Sequence, residues 1–352
     1  MAEHKKAPIS LSQISKLAGL SKATVSYVLH NKRGPSSATR TRVLKIVKRL
    51  GYQPDARVIS VMSTVRKATA KELVPIAWVD TNWDKDAWER YRFLSPYLEG
   101  AGDRCSELGY RLEKIWAAEP GMTMRRVSQI IYQRGIEGVI VTPGWSHINL
   151  NWDKLASVSF GHGLLAPRLH KVTIDSTFNL LLALKMLRRY GYRRIGICLD
   201  QLVGRSSYNL SKAAAAYFHA SISPAEVIRP LYYAINKNEN WIEIENAIAT
   251  WIRENRPDVI VGHDNRLLKV VETLGFRVPE EIGVVHLATD DDVADWAGIH
   301  SRKREIGACA VETVVYALQT RGFGVPEAAL NMSIRGMWHG GRTLIVPKPK
   351  AR

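Results

Sequence analysis

The sequence has few of the features that mark secreted, membrane-bound or metal-binding proteins. Its three cysteines lie far apart without a CxxC pair, so neither a disulfide framework nor a thiolate zinc site is encoded locally. The first ten residues lack the apolar core of a secretory signal, and no stretch approaches the roughly 18 apolar residues of a membrane span. We therefore expect a soluble protein in a reducing, cytoplasmic compartment, without a membrane partner.

Motifs of enzymes are also missing. The chain has no GxxxxGK[ST], GxSxG or HExxH motif, and its one dinucleotide-like string, at 161–166, is followed by Pro167 rather than by the helix that a pyrophosphate needs. The acidic run at 290–292 is too short to wrap a cation alone, and we expect it in a solvated loop. The sequence therefore predicts no enzyme, no catalytic residues, no cofactor and no metal site.

Positive charge is abundant and unevenly distributed. The 352 residues carry a formal net charge of +17. Residues 1–70 hold fourteen basic and two acidic residues, a net +12, which leaves +5 for the rest of the chain. Such a concentration predicts a polyanionic partner for the N-terminal segment, and DNA is the first candidate.

Three short helical patterns follow one another in this basic segment. The first has Ser10 as its N-cap and ends at Gly19, the second opens at Ser21, and the third runs from near Ser37 to Gly51. A helix, a tight turn containing glycine and a second short helix form a helix-turn-helix, whose second helix lies in the DNA major groove. A protein-docking bundle and a merely solvated basic face are the alternatives.

The second helix carries the residues that we expect to face DNA. Lys22 can donate to guanine, Ala23 can contact a thymine methyl group, and Tyr27 can hydrogen-bond or stack. The neighbouring hydroxyl groups that fix the register on phosphates are those of Ser21, Thr24 and Ser26.

Residues 9–62 resemble the headpiece of the lactose-repressor (LacI/GalR) family of bacterial transcription regulators. The shared features are the string AGLSKATVSYVL, the Ser-x-x-Thr-Arg entry to the third helix at 36–40, and the Leu-Gly-Tyr-x-Pro exit at 50–54. The resemblance implies a DNA-binding headpiece over residues 1–54. Further phosphate contacts that it implies are Ser12, His30, Ser36, Thr39 and Arg40.

The resemblance also implies a hinge helix and linker over residues 55–71. In this family the hinge folds on operator DNA and presses an apolar side chain into the minor groove, which kinks the duplex. The hinge residues that match are Arg57, Val58, Val61 and Met62. Val61 stands where the family usually has leucine, Tyr27 where arginine is common and His30 where asparagine is common, so an operator sequence is not carried over from relatives.

From Leu73 onward, short apolar runs alternate with amphipathic helices, a pattern typical of parallel sheets built from βαβ units. The predicted strands are Val74–Val79, Arg111–Trp116, Gly138–Thr142, Ser157–Gly161, Ile195–Leu199, Val227–Leu231, Val259–Gly262 and Gly283–Leu287. The predicted helices are Glu99–Leu108, Met124–Arg134, Ser176–Tyr190, Ser207–Ala220, Trp241–Glu254, Asn265–Leu274 and Glu305–Thr320.

Asp175 divides this pattern into two halves of similar rhythm, which predicts two lobes with a ligand cleft at the carboxyl ends of their strands. The resemblance, weaker over this part, implies a periplasmic-binding-protein-like body (72–352) of parallel doubly wound sheets. Its lobes would comprise about 72–175 plus 303–325, and about 176–302 plus 326–345. The effector-binding candidates are Asp80, Asn82, Trp83, Trp145, His162, Asp175, Arg205, His263 and Asp264. Trp78, Trp116, Trp241 and Trp251 are predicted to be core residues.

The sequence thus predicts an α/β protein with a helix-turn-helix headpiece, a hinge helix and a two-lobed body. We expect a homodimeric DNA-binding transcription regulator on a pseudo-palindromic operator, with repression as the outcome that the resemblance implies. A small-molecule effector between the lobes, a carbohydrate being one candidate, would modulate its operator affinity. The alternative is a cytoplasmic solute-binding or small-molecule enzyme body with an accessory basic module.

Overall fold

A computed structural model describes residues 11–29, 34–50, 73–144, 147–200, 209–234, 241–290 and 293–346. The chain divides into two compact units, a headpiece within the first 73 residues and a body that begins at Val74. The predicted hinge at 55–71 lies outside the described residues.

The headpiece contains three helices, α1 (Leu11–Ala18), α2 (Lys22–Leu29) and α3 (Ser37–Leu50). Gly19 adopts a left-handed conformation (φ 61°), which allows the tight turn between α1 and α2. The hydroxyl oxygen of Ser21 accepts the backbone N–H of Thr24 (3.0 Å) and caps α2. One side of each helix forms the small core, which consists of Ile14, Ala18, Val25, Val28 and Val43.

The body consists of two six-stranded sheets. The first sheet contains β1 (Val74–Asp80), β2 (Tyr110–Trp116), β3 (Gly138–Val141), β4 (Ala156–Phe160), β5 (His170–Ile174) and β11 (Asn331–Ile334). Its order is β11-β5-β4-β3-β1-β2, and every pair of neighbours is parallel. β3 and β4 are buried along their whole length, as expected for a sheet covered on both faces, and β3 is a continuous apolar run.

The second sheet has a corresponding arrangement. It contains β6 (Ile195–Asp200), β7 (Leu231–Tyr233), β8 (Val259–Gly262), β9 (Gly283–His286), β10 (Ala297–His300) and β12 (Met337–His339). Its order is β12-β10-β9-β8-β6-β7, and only β12 is antiparallel to its neighbour among the described strands.

Helices cover the faces of both sheets. They are α4 (Ala87–Arg90), α5 (Ser95–Leu108), α6 (Met124–Gln133), α7 (Ser176–Tyr190), α8 (Leu210–Ala220), α9 (Trp241–Asn255), α10 (Leu267–Thr273) and α11 (Lys303–Thr320). Two 3₁₀ turns lie at Trp152–Lys154 and Pro224–Glu226. Within the described ranges, no helix is both long and apolar enough to cross a membrane. The predicted fold class, a headpiece followed by a two-lobed α/β body, is confirmed.

The structure corrects two details of the predicted body. The predicted strand Val227–Leu231 is wrong, because Pro230 lacks the N–H that a sheet ladder needs and the strand begins only at Leu231. Among the described elements, the chain crosses between lobes three times, near Asp175, near Arg302 and after Ile334. The last crossing was expected near residue 326, but β11 pairs in parallel with β5 of the first sheet.

Candidate DNA-binding and effector-binding sites

The exposed surface of α2 presents two of the three side chains predicted to face base edges. Lys22 is exposed and Tyr27 is 44% exposed, whereas Val25 and Val28 on the same helix are buried. The side chains of Ser12, Ala23, Ser26 and His30 lie outside the described residues. The described outer face of α2 therefore combines a flexible cation with an aromatic hydroxyl, a pair suited to contacting a DNA groove.

The entry to α3 is capped by hydroxyl groups. The oxygen of Ser36 accepts the backbone N–H of Thr39 (3.3 Å), and the two side-chain oxygens lie 2.9 Å apart. Arg40 follows directly and is half-buried. The described residues of the headpiece contain no Asp or Glu, so the field around both helix N-termini is positive, as anion binding requires.

In the first lobe, the predicted effector residue Asp80 points into the protein. It is 4% exposed and accepts the backbone N–H groups of Asn82 (3.2 Å) and Trp83 (3.3 Å). Burial raises the pKa of its carboxyl group, although these hydrogen bonds oppose the shift. Asp80 therefore fixes the loop after β1, and Asn82 is one of the exposed polar side chains of this loop.

The loops after β1, β3 and β4 pack tightly at the carboxyl edge of the first sheet. A Cβ atom on Gly144 would lie 2.3 Å from Oγ1 of Thr81, and one on Gly163 would lie 3.0 Å from the nitrogen of Gly144. These loops therefore leave no room for a side chain at Gly144 or Gly163. Trp145, predicted in the second of these loops, lies outside the described residues.

Three aromatic side chains cluster beyond this edge. The ring centroids of Trp83 and Phe93 lie 5.5 Å apart, and the rings of Tyr91 and Phe93 are stacked at 5.5 Å. Arg90 lies over the Tyr91 ring, 4.7 Å from its centroid. Tyr91 and Phe93 are 36% and 37% exposed. We call Trp83, Tyr91 and Phe93 the aromatic cluster. The sequence singled out only Trp83, because Trp83 follows soon after the predicted strand end at Val79, whereas Tyr91 and Phe93 lie farther along the chain.

His162 and Asp175 lie at the same carboxyl edge of the sheet, after the neighbouring strands β4 and β5. Nε2 of His162 lies 2.8 Å from Oγ1 of Thr173, and burial, reinforced by the charge of Lys171, lowers the pKa of His162 to about 4. The carboxylate of Asp175 accepts the backbone N–H of Phe178 (2.9 Å), which caps α7, and pairs with Arg335 at 3.4 Å. Asp175 therefore joins the first and third crossings between the lobes.

In the second lobe, Asp264 is held by Arg266. Asp264 is 8% exposed and accepts from the backbone N–H (2.9 Å) and from Nε (2.8 Å) of Arg266. The guanidinium group lies 3.4 Å from the centroid of the Trp241 ring. Trp241 is 41% exposed, so its prediction as a core residue is wrong, whereas Trp78 and Trp251 are buried as predicted. The helical spacing did not reveal the exposure of Trp241, because Trp241 is the first residue of α9 and the buried residues of this helix lie farther along it.

His263, which follows β8, lies beside a second histidine. Its carbonyl oxygen lies 2.7 Å from Nε2 of His286, and Nδ1 of His286 accepts the backbone N–H of Ala288 at 3.1 Å. Burial lowers the pKa of both imidazoles. Arg205, the remaining candidate, lies outside the described residues.

Asp290, the one described residue of the acidic run, is not in the solvated loop that the sequence predicts, and Asp291 and Asp292 lie outside the described residues. Asp290 accepts the backbone N–H (3.0 Å) and the hydroxyl group (2.5 Å) of Ser301, and the backbone N–H of Lys303 (3.1 Å). Lys303 is only 5% exposed, and its Nζ donates to the carbonyl oxygen of Phe93 (3.2 Å). The second crossing is thereby connected to the aromatic cluster.

We expect the stability of the body to fall as the pH is lowered from 7 to 5. His162, His263 and His286 have folded-state pKa values below the ordinary 6.5, so the unfolded chain binds more protons in this range. Each such histidine lowers the free energy of unfolding by at most about 1.4 kcal/mol per pH unit, and by less where the ring is partly solvated. Urea unfolding at several pH values measures the slope.

The substitution His162→Gln is expected to reduce this slope, and the same change at the exposed His339 is the matched control. Equal slopes for all three proteins would contradict a role for the His162 imidazole.

Taken together, the elements define a helix-turn-helix DNA-binding module followed by a two-lobed α/β binding body. Residues 10–55 match the family described as "Bacterial regulatory proteins, lacI family". The predicted resemblance to the LacI/GalR family is confirmed.

Relatives match over nearly the whole chain. The HTH-type transcriptional repressor PurR of Photobacterium profundum is 23% identical over an alignment that covers 93% of this chain and 99% of that protein. The solved complex of the transcriptional regulator CelR with cellobiose is 18% identical, with a TM-score of 0.57 and coverage of 95% and 99%. The lac repressor dimer bound to operator and the anti-inducer ONPF is 15% identical, with a TM-score of 0.55 and coverage of 96% and 99%. The solved structures establish the shared fold.

Proposed function

We propose that this protein is a sequence-specific DNA-binding transcription regulator, acting as a repressor, whose operator affinity is changed by a small molecule bound in its body. The observation that carries the proposal is the headpiece. Its described residues contain no acid, and α2 begins at a serine cap and exposes Lys22 and Tyr27. The repressor PurR, similar over nearly the whole chain, supports the same function.

Recognition would combine two kinds of contact. The hydroxyl groups and cations near the N-termini of α2 and α3, which include Ser21, Ser36, Thr39 and Arg40, would hold phosphates and set the register. Lys22 and Tyr27 would then meet the edges of the bases in the major groove. Phosphate contacts add affinity for every sequence, whereas base contacts determine which sequence is preferred.

A homodimer would place two headpieces on a pseudo-palindromic operator, since a two-fold protein matches a two-fold site. The lac repressor, similar in fold, is solved as a dimer on its operator. Val61 or Met62 of each chain would provide the apolar wedge in the minor groove.

The effector would bind at the carboxyl ends of the strands of the two lobes. Asn82, His162 and the aromatic cluster would provide the surface of the first lobe, and Trp241 with Arg266 that of the second. Flat aromatic faces combined with planar polar groups suit a sugar ring, and cellobiose is the ligand in the CelR complex. Binding there would act on Asp175, Asp290 and Lys303, which hold the crossings between the lobes.

Selection from a pool of random duplexes tests the proposal. The full-length protein, incubated with the pool at physiological salt, is expected to enrich a pseudo-palindromic sequence, and recovery of no common sequence would refute it. Thermal-shift screening of residues 72–352 against sugars, sugar acids and nucleobases would then find ligands. A ligand so found is expected to change operator affinity about 5- to 150-fold.

Two headpiece substitutions should separate base reading from phosphate binding. Lys22→Ala is expected to relax the preference at one or two operator positions, at about 1–3 kcal/mol for the preferred base, because it removes a donor to a base edge. Arg40→Ala is expected to weaken binding to all sequences alike. Binding measured on the operator and on each of its single-base variants distinguishes them, and a uniform loss for both proteins would contradict the division.

A further inference from the structure

Four exposed cations on α3 have no role in the recognition described above. Arg42, Lys45, Lys48 and Arg49 lie on the side of α3 that faces away from its buried residue Val43. Within the part of the chain that the structure describes, none of them forms an ion pair. We call these four residues the outer α3 face.

Several arginines of the body behave differently. Arg104 pairs with Glu107 and Glu312, Arg304 pairs with Glu99 and Asp103, and Arg111 pairs with Glu113. The charge of these three arginines is thus neutralised by nearby carboxylates. The described headpiece holds no carboxylate at all, so the charge of the outer α3 face is available to a partner.

The outer α3 face is separate from the face that would read bases. α3 packs against both α1 and α2 through Val43 and the partly buried Ile46, Val47 and Leu50. In a bundle of three helices, the outward side of α3 therefore points in a different direction from the outward side of α2. From Arg42 to Arg49 the face extends about 10 Å along the helix axis, at 1.5 Å per residue. This length spans several phosphates of a duplex, which carries one charge per roughly 1.7 Å.

We propose that the outer α3 face binds the sugar-phosphate backbone of a second DNA duplex while α2 occupies the operator. The proposal rests on the proposed function. Each dimer on an operator would thereby hold another segment of DNA without sequence preference. The chemistry of the face favours this partner over a protein, because Leu44 is the only large exposed apolar side chain among the described residues of α3 and lies among cations.

A capture experiment with full-length protein tests this. Immobilised operator is saturated with protein, washed, and exposed to a labelled duplex that lacks the operator. Both headpieces of a dimer are then engaged on the palindrome, so that capture needs another surface. Four phosphate contacts predict that the affinity of capture falls about 150-fold between about 50 and 200 mM salt, because log K changes by about −0.9 per contact for each unit of log salt.

The informative variant replaces Arg42, Lys45, Lys48 and Arg49 with glutamine, which preserves helix propensity. It is expected to bind the operator but to capture at least about tenfold less second duplex at the lower salt. The matched control makes the same replacement at four exposed cations of the body and is expected to capture the second duplex at the wild-type level. These cations are Arg125, Lys185, Arg253 and Lys269.

Three outcomes would overturn the proposal while leaving the proposed function intact. The first is capture of the second duplex by the α3 variant at the wild-type level, and the second is an equal loss of capture in the body control. The third concerns binding to an operator trimmed to its palindrome: the slope of log K against log salt for the α3 variant is smaller than that of the wild type by the same four contacts. The last result would place the outer α3 face on the operator itself. Failure of the wild-type protein to bind any operator would instead refute the proposed function.

Discussion

Replacing Gly307 with alanine is expected to destabilise the body by about 3 kcal/mol or more, and the same replacement at Gly102 is expected to stabilise it by up to about 1 kcal/mol. Both glycines lie inside helices, Gly307 in α11 and Gly102 in α5. A Cβ atom on Gly307 would lie 2.0 Å from the carbonyl oxygen of Tyr97 in α5, whereas one on Gly102 would meet nothing within 4 Å. The chemical change is identical, and only the packing differs.

The reason is a direct backbone contact between α5 and α11. Gly100 of α5 is the reciprocal partner, since a Cβ atom there would lie 2.0 Å from the carbonyl oxygen of Arg304. A side chain at either position must push the helices apart and open the core of the first lobe, where Ala101 and Ala310 are buried. Urea unfolding of the two alanine variants measures the difference, and a Gly307→Ala protein as stable as Gly102→Ala would show that the helices do not cross this closely.

Much of the headpiece and of the two sheets could be predicted because local signals agree with the tertiary structure. Ser21 and Gly19 mark the helix ends that the structure contains, and the predicted strand Val259–Gly262 and helix Ser176–Tyr190 have their predicted bounds. Continuous apolar runs and capping residues are both short-range features, so a single sequence reveals them.

Other parts of the structure depend on distant residues, and the sequence did not reveal them. The strands Asn331–Ile334 and Met337–His339 are short and mix polar with apolar residues, and they form because an existing sheet edge pairs with them. Gly307 is indistinguishable in sequence from any other helical glycine until α5 lies against it. Trp241 fits an amphipathic helix, yet it lies beside Arg266, whose position depends on Asp264.

The sequence predicts Asp290 in a solvated loop, but in the structure three hydrogen bonds to its carboxylate hold the second crossing between the lobes. Asp290→Ala is expected to lower the free energy of unfolding of the body by about 2–4 kcal/mol. The substitution leaves the backbone N–H groups of Ser301 and Lys303 without their acceptor. It also removes the carboxylate whose charge compensates the buried ammonium group of Lys303.

Two further variants identify the cause of this loss. Asp290→Asn retains an acceptor for Ser301 and should lie between the wild type and Asp290→Ala. Asp295→Ala removes an exposed carboxylate that pairs with Arg342, and its cost is expected to stay below about 1 kcal/mol. Urea unfolding near neutral pH is the measurement, and equal losses at positions 290 and 295 would contradict the role of Asp290 at the crossing.

The pH dependence of the Asp290 contribution provides an independent check. Burial alone would raise the pKa of this carboxyl group, but the hydrogen bonds from Ser301 and the charge of Lys303 hold it below its ordinary value of 3.8. A depressed folded-state pKa means that the stabilisation is complete above the ordinary value and is lost as the pH falls through the folded-state value. The difference in stability between wild type and Asp290→Ala should therefore be constant between pH 7 and 5 and shrink below pH 4. The buried histidines are present in both proteins, so their effect cancels in this difference, and a difference that has already disappeared at pH 5 would contradict the role of the Asp290 carboxylate at the crossing.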